Sequence, residues 1–539
     1  RRKWTVSMGK KAKHKFPDVK RINVEDSQVR EFLNRVEDRA LLDGDYEIIK
    51  GMAETIRCMT QSLEDSAASI KRLLRFLLGA PTETAKNVLP EDDSKKPDPP
   101  PDDAKPKEPR KGHGRLGAES YTGGRLVKVT HPSLVPGEPC PACPKGKVYE
   151  LAMPSVLVNI VGTAPLQATV FELSRLRCNL CGKIFTAPAP EEAKGAKYDD
   201  SAAAMVAVLK YGCGMPFYRL EKLQESLGVP VPASTQWDLL DEAEKSVLPA
   251  YEALVRKAAD GDILHNDDTT ARILDLIDRQ DEESSRKGIF TSGIVSVKDD
   301  RQIAIFMTGR NHAGENLSEI LKARARDLDP PIQMCDALSR NVPKELETIL
   351  ANCMAHARRQ FVDVVEAFPE EVRHVIEQLG KVYHHDDLAR QRKLDPDQRL
   401  KLHQEQSGPV MEELKTWCEQ QIDEKRIEPN SGIGKAIRYL LKHWEKLTRF
   451  LRVPKAPLDN NICERALKRA VLNRKNSLFF KTENGAHVGD VFLSLIHTCQ
   501  LAGENPFDYL TQLLRNAPEV AKAPDRWLPW NYRESLKPG

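Results

Sequence analysis

The chain has no apolar run approaching the roughly 18 residues that a membrane-spanning helix requires, which excludes that class of membrane protein. It also has almost no net charge: 82 Lys and Arg stand against 79 Asp and Glu, leaving +3. A chain-wide basic coat is therefore excluded, and any basic partner surface must be local. No initiating Met and no apolar signal core follow Arg1-Arg-Lys-Trp4. The first Met is Met8, so residues 1–7 read as a processing remnant or an added stretch. A disulfide framework is also missing: 11 cysteines are an odd count, and those outside two CxxC pairs are scattered, which suits a reducing compartment. There is no internal repeat. At 539 residues the chain is long enough for several domains and a large core.

What is present falls into blocks. In residues 1–80, Ile49, Met52, Ile56, Met59, Leu63, Ser66, Ile70, Leu73 and Leu77 recur at alternating spacings of three and four. That is a heptad seam with one polar lapse at Ser66, ended by Gly79-Ala-Pro81; it predicts a self-associating coiled coil, the alternative being an amphipathic helix packed on its own domain. Residues 81–120 are rich in Pro, Asp and Lys, centred on Asp98-Pro-Pro-Pro101, and read as an extended linker. Residues 121–195 carry Cys140-Pro-Ala-Cys143 and Cys178-Asn-Leu-Cys181 around short β-like runs such as Ser155–Val161. Two thiolates per knuckle supply tetrahedral S4 coordination, so Cys140, Cys143, Cys178 and Cys181 are expected to hold a structural zinc ion in a ribbon. Such a site leaves no open coordination position for catalysis.

Residues 196–255 read as three helices. The first runs from Asp199 to Tyr211, the second from Pro216 to Leu227, and the third opens at Ala233-Ser-Thr-Gln-Trp237 with Ser234 or Thr235 as its cap. By helical pattern alone this is either a helix-turn-helix or an ordinary bundle. In the first case Ser234, Thr235 and Gln236 face the major groove of DNA.

From Ile263 the pattern changes to strands. Asp262-Ile-Leu-His-Asn-Asp267-Asp268-Thr269 is an apolar strand ending in acids. Strands over Gly288–Val297 and Gln302–Thr308, a helix over Ala313–Ala325 and a buried strand ending at Asp336 follow, and Cys353–Phe361 is expected to be a fifth strand running into a helix. Three strands, a helix and a fourth strand, with Asp on the first and fourth, is the ribonuclease H-like order, in which the two acidic strands lie side by side. Residues 256–361 form the first part of this core, residues 362–455 a charged helical insertion, residues 456–515 its last part and residues 516–539 a Pro-rich tail. In that last part Glu464 precedes Arg465, Lys468, Arg469, Arg474 and Lys475. A carboxylate in a basic field is a sensible arrangement for holding a divalent cation beside phosphate. Asp267, Asp336 and Glu464 supply the oxygen ligands that two Mg²⁺ ions (or Mn²⁺) require.

The sequence resembles transposases of the IS66 insertion-sequence family. The resemblance is carried by Asp267-Asp-Thr269, Asp336, His356-Ala-Arg-Arg-Gln-Phe361, Asp459-Asn-Asn-Ile-Cys-Glu-Arg465, Arg474-Lys-Asn-Ser-Leu-Phe479, Ser494-Leu-Ile-His-Thr498 and Asn505-Pro-Phe-Asp-Tyr-Leu510. It covers about Cys140 to Leu514 and favours the helix-turn-helix reading of residues 196–255. It implies a DDE transposase with Asp267, Asp336 and Glu464 as its three acids, Asp268 being the rival for the first place. Asn266 and Pro144 depart from the family's commoner residues. The implied fold is a multidomain α+β protein: a ribonuclease H-like α/β core with a helical insertion, a zinc ribbon, a helix-turn-helix and an N-terminal coiled coil.

The implied activity is Mg²⁺-dependent cleavage and transfer of DNA strands at the element's terminal inverted repeats, in the bacterial cytoplasm at the nucleoid. Double-stranded DNA is the expected partner, with a homodimer or higher oligomer, small accessory proteins and no membrane. Arg358, Arg359, Arg465, Arg474 and Lys475 are expected on phosphate, since an Arg fork binds it bidentately. His356 takes either a DNA contact or a structural polar role, and His384, His385 and His403 read as solvated helix positions. The rivals are a catalytically silent DNA-binding protein derived from such an enzyme, a ribonuclease H-like nuclease that hydrolyses without joining, and a scaffold dominated by its coiled coil.

Overall fold

The computed structural model describes residues 134–141, 146–149, 151, 163–177, 184–278, 288–344 and 346–537, together with Arg35, Val36, Asp45, Tyr46 and Ile49. The chain divides into two compact units, Arg1–Pro90 and Glu91–Gly539. In the first, Arg35 pairs at 2.7 Å with the buried carboxylate of Asp45. The heptad seam beyond Ile49 and the Pro-rich segment lie outside the described residues.

The second unit begins with a small antiparallel ladder, β1 (Arg175–Arg177) on β2 (Ile184–Thr186). Earlier in the chain, the Cys140 amide donates to the Gly146 carbonyl at 2.8 Å. Cys143, Cys178, Cys181 and the run Ser155–Val161 lie outside the described residues, so the zinc ribbon stays an expectation.

Three helices follow: α1 (Asp200–Ala207), α2 (Phe217–Ser226) and α3 (Ala233–Ala259). Asp199 caps α1, its carboxylate accepting from the Ala202 amide at 3.0 Å. The cap expected of Ser234 or Thr235 is replaced: Pro232 precedes α3, no side chain caps it, and both residues sit in its first turn. Gln236 also departs from expectation. It is fully buried, and its amide donates to the carbonyls of Val231 at 2.9 Å and Phe217 at 3.2 Å. It joins α3 to the turn before it and cannot reach a base edge.

The mixed five-stranded sheet comprises β3 (Ile263–Thr270), β4 (Phe290–Lys298), β5 (Arg301–Gly309), β6 (Ile332–Cys335) and β7 (Ile349–Asn352), in the order β5-β4-β3-β6-β7. β3, β4 and β5 are antiparallel neighbours, whereas β3, β6 and β7 run parallel. Helix α4 (Ala313–Leu321) connects β5 to β6. The fifth strand ends before the Cys353–Phe361 stretch, where it was expected: Cys353 is instead the N-cap of α5 (Met354–Val362). Helix α6 (Pro369–Gln391) opens a helical stretch that continues through Gly432–Lys442. Within it His403 is fully buried rather than solvated, between Ser407 Oγ at 3.0 Å and Asp386 Oδ1 at 3.2 Å.

Two helices close the sheet. On α7 (Asn461–Ser477) the residues Cys463, Ala466, Leu467 and Ala470 recur at helical spacing and pack on Val295, Ala304 and Phe306. On α8 (Glu483–Leu501) Asp490, Ser494 and Thr498 recur every four residues and so form one polar stripe. That stripe satisfies the free edge of β5, accepting from the amides of Thr308 at 2.6 Å, Phe306 at 3.0 Å and Ala304 at 3.0 Å. The Pro-rich tail is folded rather than loose, since Val520, Trp527, Leu528 and Tyr532 are buried in the main core.

The edge stripe has a consequence for stability. Burial pushes Asp490 up to about 7, although the Thr308 amide and hydroxyl oppose the shift. Between the ordinary carboxylate value and about pH 7 the folded state then holds a proton that the unfolded state has lost. Stability must therefore fall as pH rises through this window, by up to about 1.4 kcal/mol per pH unit. Asp490→Asn keeps one acceptor for Thr308 and should flatten that slope, which denaturant unfolding at several pH values from 4 to 7 will measure.

Candidate functional site

The register of β3 on β6 pairs His265 with Met334. Two residues further along each parallel strand stand Asp267 and Asp336, so the two acids lie side by side at one end of the sheet. Asn341, in the 3-10 turn Ser339–Asn341, bridges them. Its amide donates to Asp336 Oδ1 at 2.7 Å and reaches Asp267 Oδ1 at 3.4 Å. The turn itself is held from below: the Asn341 carbonyl accepts from Asn266 and from Gln333, each at 2.7 Å. Asn266, the departure from the family's usual residue, thus anchors the support of both acids. α4 presses on this turn through Gly314, where a Cβ would meet the carbonyls of Arg340 and Val342 at 2.7 Å.

Alternation along β3 sends Asp268 to the other face. There its carboxylate accepts from Ser292 Oγ at 2.8 Å and pairs with His312 Nδ1 at 2.9 Å, almost wholly shielded from solvent. It is spent on structure, and Asp267 is the acid that faces Asp336. Burial pushes Asp267 up to about 6; the Asp268 amide offsets part of this, while the neighbouring Asp336 charge adds to it.

Glu464 arrives on the first turn of α7. The start of that helix is riveted by Asn460, which is fully buried. Its amide donates to the Asn266 carbonyl at 3.1 Å, its Oδ1 meets His265 Nδ1 at 3.1 Å, and its backbone N–H donates to Cys353 Sγ at 3.2 Å. Burial pushes His265 down to about 4, so the ring is neutral at physiological pH and donates from Nδ1. α7 can lie this close because Gly293 stands opposite Asp267 in β4: a Cβ there would meet Leu467 at 2.8 Å.

Across from Glu464 stands α5. His356 Nδ1 is 3.8 Å from Glu464 Oε1, and Arg359 Nη2 is 3.9 Å from Glu464 Oε2. The groups that reach Glu464 from α5 are thus added to those beside it in sequence. Arg465 is exposed on another face of α7, whereas Lys468, one turn on, shares the Glu464 side of the helix and is also exposed. Arg474, expected on phosphate, donates from Nη1 to the Thr269 hydroxyl at 3.1 Å and to the carbonyl and hydroxyl of Thr270. It ties the end of α7 to the end of β3. Lys475 is exposed.

The donor set suits a hard divalent cation, since Asp267, Asp336 and Glu464 offer only oxygen. Glu464 Oε1, His356 Nδ1 and Asn341 Oδ1 are buried atoms without a hydrogen-bond partner, a state that proteins rarely tolerate. A cation is one group that would satisfy the Glu464 oxygen. Asn341, Asn460 and Cys353 were not singled out from the sequence. Their signal was thin: Asn460 lay inside the quoted Asp459–Arg465 stretch, and nothing local marks Asn341 as the residue that spans two strands.

Three proteins of Sinorhizobium fredii are similar to this chain. "Uncharacterized protein y4jD" is 27% identical over 67% of this chain and 71% of its own length. "Uncharacterized protein y4qI" is 28% identical over 61% and 62%, respectively. "Uncharacterized protein y4hP" is 25% identical over 77% and 79%. Among the described residues no helix is long and apolar enough to cross a membrane. Residues 195–488, more than half of the chain, match the profile described as "Transposase IS66 family", and this stretch contains the mixed sheet, all of α7 and all three acids. By that match the chain belongs to the IS66 family of transposases.

Proposed function

We propose that this chain is a DNA transposase whose catalytic centre is Asp267, Asp336 and Glu464 on a ribonuclease H-like core. The observation that carries the reading is a pair of acids on neighbouring strands, with a third acid on a helix beside His356. Asp267 and Asp336 share Asn341, and Glu464 presents an unpartnered oxygen beside His356. The sheet order and the family membership support it.

In this reading the three carboxylates hold two divalent cations, which activate the attacking water or 3′-hydroxyl and stabilise the leaving oxygen. Asn341 keeps Asp336 and Asp267 aligned. Arg359 lies beside Glu464 and is positioned to meet phosphate once metal takes that carboxylate's charge. Lys475 extends the basic surface as a point charge. Ser234 and Thr235, in the first turn of α3, are the groove-reading residues that remain once Gln236 is assigned to the fold. The Cys140, Cys143, Cys178 and Cys181 set holds structural zinc, and the heptad seam pairs protomers so that two DNA ends are held together.

The test is incubation of the full chain with DNA carrying the element ends and Mg²⁺. The expected products are ends with free 3′-hydroxyls that are then joined to target DNA. Nicked DNA that is never joined would replace this reading with a nuclease. Tight binding without any cleavage would replace it with a silent DNA-binding protein.

A further inference from the structure

Beside the three acids lies a second donor set of different chemistry. Ligand atoms of Cys353, His356 and Glu464 all lie within 4.8 Å of one another. Cys353 is the N-cap of α5, His356 stands one turn along it, and Glu464 faces both from α7. We propose that Cys353 Sγ, His356 Nδ1 and Glu464 Oε1 form a binding site for a borderline divalent cation of the Zn²⁺ type, and that filling it switches off Mg²⁺-dependent cleavage by taking Glu464 out of the catalytic centre.

Four observations carry this. First, sulfur and imidazole nitrogen are poor ligands for Mg²⁺ and good ones for Zn²⁺, so the set selects against the catalytic ion. Second, two of the three atoms, His356 Nδ1 and Glu464 Oε1, are buried without hydrogen-bond partners. Third, the spans fit. Tetrahedral bonds of about 2.0–2.3 Å place donor atoms roughly 3.3–3.8 Å apart. The His356–Glu464 pair already stands at 3.8 Å, and the thiol needs to close by about 1 Å or less.

Fourth, the sulfur already has a donor beside it. It accepts from the Asn460 N–H at 3.2 Å and stands at the N-terminal end of α5. The ligand is the thiolate, so the thiol proton passes to solvent when the cation binds. Access is through the half-buried side of the cluster, where the His356 and Glu464 side chains are 23% and 26% exposed. The fourth position is left for water, as three protein ligands leave a zinc site open.

Occupancy of this site does not depend on the proposed activity, whereas the switch does, and the test separates the two. Co²⁺ added to the full chain purified with zinc, so that the proposed four-cysteine site is already filled, should give a thiolate-to-cobalt absorption band in the parent. The band should persist in Asp336→Asn, vanish in Cys353→Ser and weaken in His356→Asn. Equal cobalt uptake by the parent and a folded Cys353→Ser overturns the site. Should circular dichroism show Cys353→Ser unfolded, unchanged uptake by His356→Asn overturns it instead. In the cleavage assay with Mg²⁺, Zn²⁺ should inhibit the parent. Cys353→Ser should need at least about 10-fold more Zn²⁺ for the same inhibition, since even outer partners of a metal site affect affinity by that much. Identical inhibition of both would place Zn²⁺ on the acids and overturn the switch. A parent that binds Co²⁺ but never cleaves DNA would leave the site standing while removing the proposed function.

Discussion

Asp267→Asn, Asp336→Asn and Glu464→Gln should each lower DNA cleavage and joining by at least about 10³-fold while leaving DNA binding within a few-fold of the parent. The size follows from the role proposed for each carboxylate. Two-metal catalysis of phosphoryl transfer places nearly the whole acceleration in positioned positive charge, so losing a negatively charged ligand removes the ion and its several kcal/mol of transition-state stabilisation. An isosteric amide preserves shape and most packing, which keeps the comparison clean. Asp336→Asn is the sharpest of the three. Asp336 Oδ1 accepts from Asn341 and from the Leu338 amide at 3.0 Å, and the Asn oxygen can still accept both. Any large loss there reports charge and not collapse. Asp268→Asn makes the contrast, since its carboxylate is engaged by Ser292 and His312 on the opposite face. It should reduce stability more than the chemical step. Parallel measurement of end-DNA binding, single-turnover cleavage and thermal unfolding checks all four, and full cleavage by Asp336→Asn would remove Asp336 from the centre.

The second large effect is expected at a residue with no functional group. Gly293→Val should lower single-turnover cleavage by about 10²-fold with the fold retained. Gly293 pairs with Asp267 across β3 and β4, and its missing side chain is what lets α7 approach. Even a Cβ would stand 2.8 Å from Leu467 and 3.5 Å from Cys463 Sγ. Overpacking of this kind costs roughly 1–3 kcal/mol in stability. The helix is the softer partner, because the strand is hydrogen-bonded on both sides. α7 must therefore move outward and carry Glu464 away from Asp267 and Asp336. A displacement of about 1 Å in a reacting constellation can cost about 10²-fold in rate. Gly293→Ala should show a smaller loss of the same kind, and Leu467→Ala combined with Gly293→Val should recover part of the activity by making room. Unchanged cleavage in a folded Gly293→Val would mean that Glu464 need not be held at this distance.

Several features were legible in the chain because they depend on local pattern. Strand and helix type from Ile263 to Asp336 follow from periodicity, and so do the helical segments around Pro369–Lys442. Asp267 and Asp336 stood out because each ends an apolar run. Other features were not legible, for stated reasons. Cys353–Phe361 was expected to begin as a strand, since its apolar residues are few and short runs do not separate strand from helix. Gln236 was expected outward, but the neighbouring turn, closed in space and invisible in pattern, takes its amide. His403 was expected in water, yet Asp386 and Ser407 come to it from elsewhere in the helical stretch.

Glu464 shows the division most clearly. The sequence by itself determined its helix, its place in that helix's first turn and the cations that follow it. Those features are set by neighbours within a few residues. Only the tertiary structure added the groups that face it from α5, His356 and Arg359, while Arg465 beside it in sequence lies on another face and Arg474 is bound to the end of β3. A helix turns about 100° per residue, so adjacency in sequence separates side chains in space. Asp267 and Asp336 became neighbours through strand pairing and Asn341. Gly293, 170 residues from Cys463 in α7's first turn, lets that helix lie close against the sheet.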